Sequence, residues 1–169
     1  MVAEIIHQLD FNLAYLKKSV EDVPDAQMTV KPGPGLDNHP AFTLGHLITA
    51  YANLMNNLTG EFLLADGFKE IFLRSGPGDP TLPNPDATAY PSKEKMIAEL
   101  NLQHERLVDH LMRMEEKKLR ENFDWRFSSF FPTYLDRITF LCINHYAMHL
   151  GQLAAWRRAM GLSSALASL

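Results

Sequence analysis

Apolar residues recur along this chain at alternating intervals of three and four, and they do so in four separate stretches. Val2, Ile6, Leu9, Leu13, Leu16 and Val20 are spaced 4, 3, 4, 3, 4, which predicts a helix over about residues 2–22. Pro40 opens a second helix with Asn38 nearby as a cap. Its broad apolar face carries Leu44, Leu47, Ile48, Tyr51, Leu54, Met55 and Leu58, and Gly60 ends it. Ser92 caps a third helix, with Ile97, Leu100, His104, Leu107, Leu111 and Met114 as its seam. The last helix begins near Pro132 and carries Leu135, Ile138, Cys142, His145, His149, Gln152 and Trp156 until Gly161 stops it. Period-two alternation of any length is absent, so no strand is predicted.

The segments between these seams are rich in helix breakers. Residues 24–40, "PDAQMTVKPGPGLDNHP", and 75–91, "SGPGDPTLPNPDATAYP", hold too many prolines for regular structure and are predicted as surface loops. Between them, "LLADGFKEIFLRSG" has room for two helical turns. Lys117, Lys118 and Arg120, mixed with Glu115, Glu116 and Glu121, read as a solvated helix end, and the tail "GLSSALASL" as a segment that frays or covers an edge. The pattern predicts an all-α fold: an up-down four-helix bundle with long proline-rich connecting loops, forming one domain over residues 1–169.

Composition narrows the partners. The 169 residues are 46% hydrophobic, enough for a core, and the net charge of −4 comes from scattered rather than clustered basic residues. Nucleic acid therefore lacks its usual electrostatic footprint. Cys142, the single cysteine, excludes an intrachain disulfide and lies in an apolar run where burial raises its pKa. Neither a secretory signal nor a run long enough to span a membrane is apparent, so the expected setting is reducing and cytoplasmic.

The stretch "CINHYAMHLGQ" carries the chemistry. His145 and His149 are four apart on an inward seam, and helix geometry aims both rings at one point, as a divalent metal requires. The bland alternative is that each ring bonds a carbonyl, a carboxylate or Tyr146. The spacing matches the H-E-x-x-H zinc motif, but Tyr146 stands where that motif has its catalytic glutamate. Another ligand is needed. His104 lies on the third seam, and His46 borders the second helix's apolar face in line with Ala50, Asn53 and Asn57; periodicity does not choose between them. His7 and His110 are off their seams, and His39 reads as a loop residue.

"TLGHLITAYANLMNNLTG" and "NHYAMHLGQLAAWRRAMG", taken together and in this order, resemble the DinB/YfiT-like family of metal-dependent enzymes. The resemblance implies that His46, His145 and His149 bind one divalent metal, zinc or nickel, in a cytoplasmic bundle that is often dimeric. Some members use a low-molecular-weight thiol such as mycothiol or bacillithiol as cosubstrate. The resulting expectation is a divalent-metal-binding protein acting as a metal-dependent hydrolase or thiol S-transferase on a small-molecule substrate. A non-enzymatic metal- or small-ligand-binding bundle is the alternative.

Three neutral ligands leave the metal's charge uncompensated and a coordination position free, the habit of catalytic zinc. Gln152, one turn beyond His149, is placed to hydrogen-bond a ligand ring. Asn53 and Asn57 can orient a substrate but cannot take its proton. Glu61 and Tyr15 read as surface or packing residues, which leaves the general base unassigned.

Overall fold

Pro40 has no N–H to leave unpaired, so it suits the first position of a helix whose first six residues, Pro40–Gly45, are all buried. From it α2 (Pro40–Thr59) runs to a left-handed Gly60 at φ 82°. The computed structural model describes residues 1–74, 79 and 83–169. Before α2 comes α1 (Val2–Glu21); after it come the short α3 (Phe68–Phe72), α4 (Lys93–Arg113) and the four-residue α5 (Glu116–Leu119). The fourth long helix is continuous but composite: α6 (Tyr134–Thr139), a π-helical segment (Phe140–His145) and α7 (Tyr146–Ala159). Among the described residues there is no strand, only an isolated bridge between Asn122 and Thr133.

The fold is thus the all-α four-helix bundle that the apolar pattern predicts. The pattern does not reveal which helices are neighbours. α2 packs most extensively on α4 and also on the α7 helix, and α1 packs on these same two. α1 and α2 therefore stand diagonally opposite, as do α4 and α7, so the first and last connections between the long helices cross the end of the bundle, while the middle one joins the neighbours α2 and α4. The first connection is pinned as it crosses: Trp156 Nε1 donates to Val30 O at 2.7 Å and Ala41 N to Met28 O at 2.9 Å.

The packed faces also carry polar residues, several of which tie one segment to another. In α1 the buried row is Ile5, Leu9, Asn12, Leu16, Ser19 and Val20, with Val2, Ile6 and Leu13 at its border. In α4, buried Gln103 donates to Leu63 O and to Glu99 Oε1, both at 2.8 Å, and Glu99 Oε1 also accepts from Ala65 N. This pair ties the chain after α2 to α4. At the far end Lys93 donates to the carbonyls of Val20, Glu21 and Val23, closing the C-terminus of α1. Buried Arg157 donates to Asp22, Ser19 O and Ser163 O, so the tail does not fray: its 3₁₀ turn Ala165–Ser168 packs on α1. α5 is a separate helix, not the end of α4; its charges pair locally, Lys118 with Glu121 and Arg120 with Glu116. The segment expected to give two turns forms only the five residues of α3. Much of the second proline-rich loop lies outside the described residues, although Ala87–Ala89 make a 3₁₀ turn capped by Asp86.

Two local features depart from the sequence expectation. The cap of α2 is His39, not Asn38: His39 Nδ1 accepts from Phe42 N at 3.2 Å and its side chain is buried, while Asn38 turns to Gln152. The π-helical segment widens one turn, so the core-facing row runs Ile138, Cys142, Tyr146, Leu150 and Leu153. Tyr146, not His145, occupies the core at that level, and His145 stays partly exposed on the adjacent row. The Tyr146 N–H bonds Ile143 O rather than the Cys142 carbonyl four residues back, and Asn12 Nδ2 donates to that carbonyl at 3.1 Å. A buried asparagine of α1 thereby supports the irregular turn that precedes the histidine pair.

Burial, with the Lys31 charge second, holds His39 down at about 4, against a smaller upward effect of its hydrogen bond with Met28. The unfolded chain, with histidine near 6.5, binds the extra proton first. The stability this cap contributes is therefore complete above pH 6.5 and is lost as pH falls towards 4. Replacing His39 by Asn keeps a capping acceptor that does not titrate. In His39→Asn the fall in urea midpoint between these pH values should be shallower, by about one proton in the linkage slope; an unchanged slope would refute the coupling.

Candidate metal centre

α2 contributes His46 and the fourth long helix contributes His145 and His149, and the three rings meet edge to face. His145 Nε2 lies 3.1 Å from His46 Nε2 and 3.2 Å from His149 Nε2. All three ligand atoms fall within 4.8 Å of one another, and no Asp, Glu or Cys joins the group among the described residues. Four ligands about 2.05 Å from one metal in a tetrahedron stand roughly 3.3 Å apart. The separations fit the edges of such a polyhedron, so the residues present suit a divalent metal.

The protonation states fit as well. Burial is the main cause that lowers each histidine, His46 to about 2 and His145 and His149 to about 4; neighbouring charges come second for His46 and His145, whereas for His149 the hydrogen bond with Gln152 comes second and opposes the fall. At neutral pH all three rings are uncharged and can offer lone pairs. For His149 the choice of nitrogen is fixed. Gln152 Oε1 accepts from Asn38 Nδ2 and from His149 Nδ1, both at 2.9 Å, so Nδ1 carries the proton and Nε2 points its lone pair at the other two rings.

His46 is oriented by packing. The buried ring of Phe42, one turn earlier, stacks on it at 5.9 Å between centroids and 19° between planes. Gly45, immediately before, has no side chain because the Phe72 ring lies there: a Cβ would fall 2.1 Å from Phe72 Cε1. That contact brings α3 down onto α2 beside His46.

The structure separates the two histidines that periodicity left tied. His104 is buried on α4, but its Nε2 pairs with Asp10 Oδ1 at 2.8 Å and it does not join the cluster. His7 is exposed and His110 partly exposed, both away from the centre. Asn57 accepts from Arg137, and Glu61 lies exposed beyond the end of α2. Tyr15 packs against the core. Buried Cys142, its thiol pushed up to about 12 by burial, is no ligand. A cavity of about 770 Å³ lies between α1 and α4, lined by Leu13, Lys17 and Ile97 among others, and includes none of the three histidines.

Sequence reasoning missed Arg74. Its guanidinium lies 5.0 Å from the centroid of Phe42, and its charge adds to the lowering of all three histidines. No periodicity marks it, because it follows α3 in irregular chain.

The model of the DinB superfamily matches residues 8–153. The chain belongs to that superfamily. Among solved structures it is similar to YfiT from Bacillus subtilis, described as a probable metal-dependent hydrolase with an unusual four-helix bundle topology. Identity is 19% with a TM-score of 0.64, over 96% of this chain and 89% of that one, which establishes likeness of fold. Comparison with curated proteins gave no match. In this DinB-superfamily chain no helix among the described residues is long and apolar enough to cross a membrane.

Gln152→Leu removes the acceptor that fixes the His149 tautomer while leaving every ligand in place. Metal affinity, measured by competition with a chromophoric chelator, should fall about 10–100-fold. Unchanged affinity would mean that Gln152 does not orient the ring.

Proposed function

We propose that this chain is a metal-dependent hydrolase with His46, His145 and His149 as the ligands of one zinc or nickel ion. The convergence of three neutral Nε2 atoms at 3.1 and 3.2 Å carries the reading. A divalent metal in such a site supplies a Lewis acid and lowers the pKa of a bound water or thiol. The chain's own residues provide orientation and charge. Gln152 and Asn38 hold His149, Phe42 holds His46, and no carboxylate in the cluster reduces the positive charge of the centre. Hydrolysis is the first reading because it is the activity ascribed to YfiT.

One observation favours a second reading, transfer of a low-molecular-weight thiol. Among the described residues no carboxylate joins the cluster to act as a base, and a thiol, with pKa about 8.5, surrenders its proton far more readily than water. Either reaction accords with a reducing, cytoplasmic setting, in which the lone Cys142 stays buried as a thiol.

Tag-free protein incubated with zinc or nickel should retain one equivalent by elemental analysis. At saturation the metal should raise the melting temperature by several degrees, because a native-state ligand present at 100 times its dissociation constant contributes about 2.7 kcal/mol. His46→Ala and the double variant His145→Ala/His149→Ala should lose both effects. Wild-type protein without stoichiometric metal, or with a melting temperature indifferent to it, would overturn the proposal.

A further inference from the structure

Gly45 admits the ring of Phe72, which fixes the end of α3 against α2 next to His46; two residues later the chain delivers Arg74. The Arg74 guanidinium spreads over Phe42, whose ring stacks on His46. Its Nε is buried without a hydrogen-bond partner. The acidic group whose charge acts on Arg74 is Asp79, so part of the cation is answered within the chain, but the Nε–H donor is not. A buried donor left unpaired is costly, and a guanidinium fork is shaped to pair with the two oxygens of a carboxylate or phosphate.

Arg137 provides a contrast. It too has a buried, unpartnered Nε, but its guanidinium lies against Phe123 and Trp125, at 4.5 and 4.9 Å from their centroids, and donates to Asn57. Arg74 instead lies against Phe42, the ring that stacks on His46. Arg137 fastens the chain at Phe123 and Trp125 to α2, whereas Arg74 is one ring removed from His46.

We infer that Arg74 binds an oxyanion of the substrate beside the three-histidine centre, so that the substrate is a small molecule bearing a carboxylate or phosphate group. This rests on the metal reading above. It deepens that reading, because among the described residues no anionic side chain joins the three histidines and Arg74 adds a positive charge beside Phe42. The substrate's anionic group pairs with the Arg74 fork, and the reacting bond is thereby held over the Nε2 triangle.

The test uses full-length protein loaded with cobalt(II), with metal content measured first for each variant. The visible cobalt bands are then followed during titration with acetate, inorganic phosphate, or acetamide as the uncharged analogue of acetate. Wild-type protein should bind at least one anion. Arg74→Gln should weaken it about tenfold or more, the loss of one charge-assisted pair, with the acetamide response unchanged. Arg74→Lys, which keeps the charge and perturbs packing less, should fall between the two. Whichever anion shows the Arg74 dependence identifies the group as carboxylate or phosphate. Equal anion affinity in wild type and Arg74→Gln, or an equal loss for acetamide, would overturn the assignment. Failure of wild-type protein to take up cobalt would instead overturn the metal reading itself.

Discussion

Three uncharged imidazoles with their Nε2 atoms 3.1 and 3.2 Å apart are the constraint around which this bundle is arranged. Lone pairs brought that close repel unless a proton or a cation lies between them; a single Nε2–H answers only one neighbour, and burial keeps the rings from taking a second proton. A metal cation resolves the conflict. The supporting contacts serve that convergence: Phe42 stacks on His46, Gln152 holds the proton of His149, and Asn38 reaches from the first long connection to steady Gln152.

The diagonal arrangement makes these contacts possible. With α1 opposite α2, the connection between them must cross the bundle end, which carries residues 30 and 38 to the last helix near Trp156 and Gln152. α2 is left flanked by α4 and by the composite fourth helix, so His46 faces the histidine pair while His104 of α4 faces Asp10 of α1. The π-helical turn then sets the rotation of α7. It sends Tyr146 into the core and leaves His145 and His149 on the row that meets α2, with Asn12 filling the carbonyl the wider turn exposes.

Much of this was legible in the sequence. Alternating three- and four-residue spacings mark all four long helices to within a few residues, because burial of one helical face is a local demand that each segment meets for itself. Proline and glycine likewise mark their ends. What the spacing could not show depends on non-local partners. Asn12 occupies a buried position in α1 because its side chain finds the carbonyl of Cys142, and the letter does not advertise this. The π turn is hidden because Leu135, Ile138, Cys142 and His145 read equally well as an ordinary seam. His39 looked like loop chemistry since histidine is not a usual cap, and Arg74 carries no pattern at all. The choice between His46 and His104 needed the neighbour relations of the helices; the family resemblance selected His46, and it is His46 that the structure places with the histidine pair.

The central claim concerns the metal's immediate surroundings, and X-ray absorption spectroscopy of the metal-loaded full-length protein addresses it most directly. The account predicts a shell of nitrogen and oxygen at about 2.0–2.1 Å, with imidazole multiple scattering that fits three histidines and no sulfur. A shell with sulfur, or one dominated by oxygen with fewer than two imidazoles, would contradict it.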